Sequence, residues 1–246
     1  MGHKGGLRHL KRLPAPWFWP IHRKEHTWTP KPDPGAHKSS ASLPLQLILR
    51  DGLGIARTGR EVSKVLSEGK VRVDGGIRRD SNYPVGLMDV VEVPDANLTY
   101  RLLPITGRGL SLVRIPKDEA KFKLCRILAK STVPGGKIQY GLHDGRSLMQ
   151  PSTGAESSYS INDTLRIGIP AQRILNHVKF EKGNLGLVVA GRNLGRTGRI
   201  VDWQAGTATR PATVTIEDST GTKFDTMAAY VFIVGTDKPA IKLEAA

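Results

Sequence analysis

The residues best placed to do chemistry in this chain are cations at regular spacing. Arg57, Arg60 and Lys64 stand three and four residues apart, so a helix would carry them on one face together with Glu61. Arg78 and Arg79 follow Asp74-Gly75, a strong hairpin turn. A basic helix face and a basic loop that converge would bracket a groove about as wide as a backbone, and such groups suit phosphates. A second set is Arg192, Asn193, Arg196 and Arg199 among Gly191, Gly195 and Gly198. Glycine permits close backbone approach and arginine supplies charge, but neither a GK[ST] ending nor a strand-to-helix setting makes this a nucleotide loop. A third set lies in residues 1–42, where Lys4, Arg8, His9, Lys11, Arg12, Arg23, Lys24 and Lys38 interleave with Trp17 and Trp19. Stacking rings beside phosphate donors suit single-stranded or folded RNA. Each set also has a plainer explanation: a solvated helix face, a tight hairpin, and aromatics that pack back on the body.

The elements that must position these residues follow from local pattern. Thr58 and Glu61 form a capping box, so a helix starts there, with Val62, Val65 and Leu66 facing inward and Gly69 ending it. Val71 and Val73 alternate with Lys70 and Arg72 as a strand does, and residues 87–93 return as its partner. Residues 43–50 predict a first short helix, with Pro44 in its opening turn and Leu45, Leu47, Ile48 and Leu49 packing under the second. Two short helices split by Gly52 and Gly54 also suit a helix-turn-helix, so duplex DNA binding is a competing reading. Residues 94–170 read as short strands punctuated by Pro134-Gly135-Gly136, Asp144-Gly145 and Asn162-Asp163. Residues 185–234 carry strands on both sides of the glycine loop, and a short frayed tail is expected beyond Gly235.

Composition narrows the partners. The chain has 246 residues and a formal net charge of +15, which points to a polyanion. Residues 1–42 hold eight Lys or Arg against two acids, with six prolines that forbid a continuous helix, so this arm is expected to be disordered until RNA orders it. No apolar run is long enough to span a bilayer, and no apolar segment follows the basic start as a signal peptide requires, so a cytoplasmic protein is expected. Cys125 is the sole cysteine and reads as a small core hydrophobe, which excludes a disulfide and a multi-cysteine zinc site. His22 and His26 have metal-pair spacing but no helix to align them and no third ligand, so no metal or other cofactor is expected. Asp144 and Asp163 sit in turns that account for them.

Several stretches carry a resemblance. The helix beginning at Thr58, the Val71-Arg72-Val73-Asp74-Gly75 turn and Met88-Asp89-Val90-Val91 resemble the alpha-L RNA-binding module of bacterial small-subunit ribosomal protein four, certain pseudouridine synthases and some tyrosyl-tRNA synthetases. With His9-Leu10-Lys11-Arg12-Leu13, Lys121-Phe122-Lys123-Leu124-Cys125 and Leu142-His143-Asp144-Gly145-Arg146, the chain is similar to small-subunit ribosomal protein four of archaea and eukaryotes. Pro14 departs from the small residue usual in that family. The resemblance implies a mixed α+β, mostly β fold: a basic extension (residues 1–42), an alpha-L module (43–93), a central small β-barrel (94–170), an SH3-like KOW barrel (171–237) and a tail (238–246). It further implies a structural constituent of the small ribosomal subunit that binds rRNA beside neighbouring ribosomal proteins, with no catalysis and no small-molecule substrate. The alternative is an RNA-modifying factor that uses the module for targeting, though no catalytic constellation is evident.

Overall fold

The computed structural model describes residues 9–149, 159–207 and 209–243. The chain opens with β1 (Leu10–Lys11), β2 (Trp28–Thr29) and β3 (Ser42–Pro44), then α1 (Leu45–Leu47), which runs on as a π-helical turn, Ile48–Gly52. Next come α2 (Gly59–Ser67), β4 (Arg72–Val73), β5 (Gly76–Ile77), β6 (Pro84–Gly86) and β7 (Val90–Val93). The long strands follow: β8 (Leu98–Ile105), β9 (Gly109–Arg114), β10 (Phe122–Val133), β11 (Lys137–Leu142), β12 (Ser147–Met149), β13 (Thr164–Gly168) and β14 (Ile174–Val178). The chain ends with β15 (Leu185–Val188), β16 (Thr197–Gln204), β17 (Thr213–Asp218), β18 (Lys223–Met227) and β19 (Val231–Gly235). Three antiparallel five-stranded sheets result, in the orders β5-β4-β7-β8-β9, β12-β11-β10-β13-β14 and β18-β17-β16-β15-β19. The fold is mostly β with few helices, and among the described residues no helix is long and apolar enough to cross a membrane.

The first helix differs from the expected residues 43–50. Leu43 and Pro44 instead pair as β3 with Val85 and Pro84 of β6, because Pro44 has extended ψ of 138° and serves as the helix cap. Leu45, Leu47, Ile48 and Leu49 are all buried, while Gln46 and Arg50 are half-buried and Asp51 is exposed, so most of this short segment needs cover. The N-terminal arm supplies part of it: Ala15 and Trp19 join the same core, with Val62 and Leu66 of α2 and Val73, Val91 and Leu102 of the first sheet. The expectation of a disordered arm is therefore corrected for residues 9–42, which pack back on the body.

Two expected boundaries fall inside sheets. β7 pairs with β8 through Val90↔Arg101 and Val91↔Tyr100, so the strands just past residue 93 extend the hairpin's own sheet. β13 likewise pairs with β14 across the Ile169-Pro170 cis bond, which places β14 in the central sheet. Turn signals mark where a chain reverses, but the pairing after the reversal decides the sheet. The tail is not frayed through residue 243: Ile241 is buried in the core formed by Leu103, Phe122, Leu124 and Phe232, and Lys242 N–H donates to Glu119 Oε2 at 3.2 Å.

Candidate nucleic-acid interface

Helix α2 begins as its capping box requires, with one shift. Glu61 N–H donates to Thr58 Oγ1 at 3.3 Å, while Glu61 Oε2 accepts from the N–H of Arg57, one residue before the cap, at 2.8 Å. That bond from Arg57, with the neighbouring cation, holds the Glu61 carboxyl below its ordinary range. Thr58 is thus a capping residue, with its hydroxyl oxygen committed to the helix. Val62 and Leu66 are buried, and Arg57, Arg60, Glu61 and Lys64 are exposed on the helix surface.

The Arg78-Arg79 loop is built by a tight two-residue turn. Val73 pairs with Gly76, and Asp74 and Gly75 both adopt left-handed backbone at φ 50° and 73°, as the turn type requires. Arg79 is exposed. Arg78 is half-buried, with its guanidinium 4.5 Å from the centre of the Tyr83 ring. The chain just beyond is tied to α1, because Leu45 and Gln46 N–H donate to the carbonyls of Tyr83 and Ser81 at 3.0 and 2.8 Å. One rigid unit thus displays helix and loop.

In the arm, burial divides the expected contacts. Lys4 and Arg8 lie outside the described residues. His9, Lys11, Trp17, Lys24 and Lys38 are exposed. Trp19 is corrected: it is 4 % exposed, and its indole N–H donates to the Ser42 carbonyl at 2.9 Å, so it is a core plug and no stacking platform. Arg12 is corrected likewise, since its guanidinium donates to the Trp28 and His22 carbonyls at 3.2 and 2.7 Å and faces Glu25 Oε2 at 3.5 Å. Arg23 donates to the carbonyls of Leu13 and Pro16 at 2.6 and 3.1 Å and braces the arm from within. A folded arm has backbone carbonyls to satisfy, and these arginines do it.

The glycine loop is also partly spent inside the molecule. A Cβ at Gly195 would lie 2.4 Å from the Thr106 amide nitrogen, so the close approach that glycine permits here is to the β8–β9 turn. Arg196 pairs with Asp218 at 3.1 Å and stacks 4.2 Å from the Phe224 ring centre. Asn193 is half-buried, Arg192 is exposed, and Arg199 is exposed with a 3.4 Å approach to Asp237.

Known proteins match this arrangement in the same order. The RS4NT domain model matches residues 4–40, the S4 domain model residues 43–91, and the model of ribosomal family S4e residues 96–174. The small ribosomal subunit protein eS4 of Staphylothermus marinus is 47% identical, over 99% of this chain and 98% of that one. The chain belongs to ribosomal family S4e. The eS4 protein of Aeropyrum pernix is 46% identical over 99% of this chain and 98% of its own length. The crystal structure of the 30S ribosomal protein S4e from Thermoplasma acidophilum superimposes with a TM-score of 0.67 at 30% identity, covering 80% of this chain and 96% of that one.

The S4e chain also contains a buried ionic centre that sequence reasoning missed. Lys123 is fully buried on β10, and its ammonium lies 2.9 Å from Asp74 Oδ2 and 3.0 Å from Asp144 Oδ2, with Asp89 Oδ1 as a third, close partner. Arg146 reaches Asp74 at 2.7 Å and Asp144 at 3.2 Å, and His37 lies 3.1 Å from Asp89 Oδ1. The centre joins the arm, the S4 hairpin and the central sheet. Burial opposes ionisation of Asp89, but Lys123 and the His37 hydrogen bond hold its carboxyl well below the usual range. Burial and the neighbouring Asp89 push Asp74 up, and the Lys123 ammonium is stabilised by its carboxylates against the cost of burial. The available signal was charge inside apolar runs: Lys123 between Phe122 and Leu124, and Asp89 between Met88 and Val90. Asp144, which a turn alone was expected to explain, is a turn residue and an ion-pair partner at once.

Cys125, His143 and Asp144 bring three potential metal donors within 4.8 Å of one another. They do not form a ligand set. His143 Nδ1 accepts from the Arg126 N–H at 3.2 Å and Nε2 lies 3.2 Å from the Leu87 carbonyl, so both ring nitrogens are engaged. Burial and the Lys123 charge hold that imidazole down to about 3, so it is neutral, and burial pushes the Cys125 thiol well up. A centre that already holds a buried ammonium repels a second cation.

Proposed function

We propose that this S4e chain binds small-subunit rRNA through exposed cations just before and on α2 and in the loop after β5, namely Arg57, Arg60, Lys64 and Arg79, with Arg78 held on Tyr83 beside them. Family membership makes the chain a ribosomal structural protein and not an enzyme. The observation that carries the RNA reading is the two-sidedness of α2: Val62 and Leu66 are buried, while three cations at one-turn spacing stay in solvent with Glu61 and Glu68 as neighbouring carboxylates. The exposed residues of the arm, His9, Lys11, Trp17, Lys24 and Lys38, extend the surface, as do Arg192 and Arg199. Trp19, Arg12, Thr58 and Arg196 belong to its scaffold.

In this reading the sheet β18-β17-β16-β15-β19 is an SH3-like KOW unit, a view supported by its consecutive antiparallel hairpins and by the glycine loop between β15 and β16. Its neighbours are other proteins of the small subunit, in the cytoplasm. The test is sedimentation of native lysate through sucrose gradients, at low salt and after a high-salt wash. The chain should travel with the small subunit in both. Its absence from the subunit even at low salt overturns the proposal.

A further inference from the structure

We propose that the outer face of the β1–β2 ribbon binds one unpaired RNA base, with Trp28 as the stacking platform and Lys11 and His9 as phosphate partners beside it. The proposal rests on the RNA reading above and deepens it to one nucleotide-sized site. Cross-strand pairing sets Lys11 opposite Trp28 and Leu10 opposite Thr29. Alternation then sends the two pairs to opposite faces. Thr29 is buried and Leu10 packs on the core, while Trp28 is left 56% exposed. The same arm seals Trp19 in the core, so sequestering an indole is within its means, and Trp28 is held out.

The platform is pre-set. The Trp28 carbonyl accepts from Arg12 Nε at 3.2 Å, and Arg12 is itself buried and bonded to the His22 carbonyl. The backbone under the ring is therefore clamped before any ligand arrives. A cation and a second ring lie beside the indole: Lys11 Nζ is 6.0 Å from its centre and the His9 ring 5.7 Å away at 59°. A base with its phosphate calls for a π-face with donors beside it, and this face of the ribbon offers both. A base within an A-form helix is stacked on both sides, so the ligand is an unstacked one.

The test uses the full chain and a transcript of small-subunit rRNA from the same organism, with affinity measured across a salt series. Trp28→Ala should weaken binding on the order of tenfold to a hundredfold at every salt concentration, and Trp28→Phe should restore most of it. Lys11→Ala should lower the slope of log affinity against log salt by about one, a slope that Trp28→Ala leaves unchanged. All three variants should melt as the native chain does. Failure of the native chain to bind the transcript overturns the RNA reading as a whole. Native binding with an unimpaired Trp28→Ala variant overturns this site alone, as does a variant that binds rRNA normally but fails to join the protein-bearing subunit. Equal loss in the alanine and phenylalanine variants with lowered melting temperatures also overturns it.

Discussion

Replacing Lys123 by methionine removes the central cation while keeping most of the side-chain volume. Asp89 is 1% exposed, and Asp144 and Asp74 face the same ammonium, so the variant leaves buried carboxylates short of a partner. Breaking a buried ion pair from one side costs about 3–5 kcal/mol. For a chain of this length about 2–4 °C is lost per kcal/mol, so the melting temperature should fall by roughly 6–20 °C. The pH dependence makes the prediction sharper. Asp89 and Asp144 are held below their ordinary value in spite of burial, chiefly by Lys123, so they contribute stability above the ordinary carboxylate pKa near 3.8 that is lost as pH falls through their lower folded values. Without Lys123 the strongest opposition to burial is gone, and although His37 still faces Asp89 and Arg146 still faces Asp144, their folded pKa values rise and protonation opposes the fold less. The deficit of the variant should therefore be largest near neutral pH and shrink towards acid, as read by urea unfolding at about pH 7.5 and about pH 4.5. A cost below about 1 kcal/mol, or a deficit equal at both pH values, refutes the reasoning.

Two further outcomes follow from the divided roles of the basic and aromatic residues. The triple change Arg57→Ala, Arg60→Ala and Lys64→Ala should weaken rRNA binding and flatten its salt dependence, while each exposed substitution alters stability by no more than about 0.5 kcal/mol; a large fall in melting temperature would mean that this face packs inward. Trp19→Ala should cost about 3–5 kcal/mol in thermal or urea unfolding, because it empties a core position and orphans the Ser42 carbonyl. Trp17→Ala, at a ring 63% exposed, should cost far less, and equal costs would refute the assignment of Trp19 to the core.

Local chemistry was legible in the amino-acid sequence. The Thr58 cap, the Asp74-Gly75 turn and the inward Val62 and Leu66 depend on residues within a few positions of one another, and the structure has them where local pattern places them. The resemblance to the archaeal and eukaryotic family rested on the same short stretches and is upheld by relatives that span the chain. The arm was misread because its composition is that of a disordered segment, while the apolar surface it covers, α1 with Leu45, Leu47, Ile48 and Leu49, is contributed by a later part of the chain. An arm of this composition can still fold when it buries Ala15 and Trp19 and packs Leu10, Phe18 and Ile21 against a core built elsewhere.

What the sequence determined by itself was the capped helix α2, the Asp74-Gly75 hairpin, the surplus of positive charge and the family. Which cations remain free was decided by tertiary structure alone. Lys123 meets Asp74 across 49 positions, Arg146 meets Asp74 across 72, and Arg126 reaches the Ala229 carbonyl across 103. Apolar neighbours mark Lys123 as unusual, but no local pattern names its partners or those of Arg126 and Arg146, because a side chain's charge is intrinsic but its partner is set by the path of the backbone. Internal partners then commit the first three to the scaffold, while Arg60 and Lys64 stay exposed, as the proposed RNA contact requires.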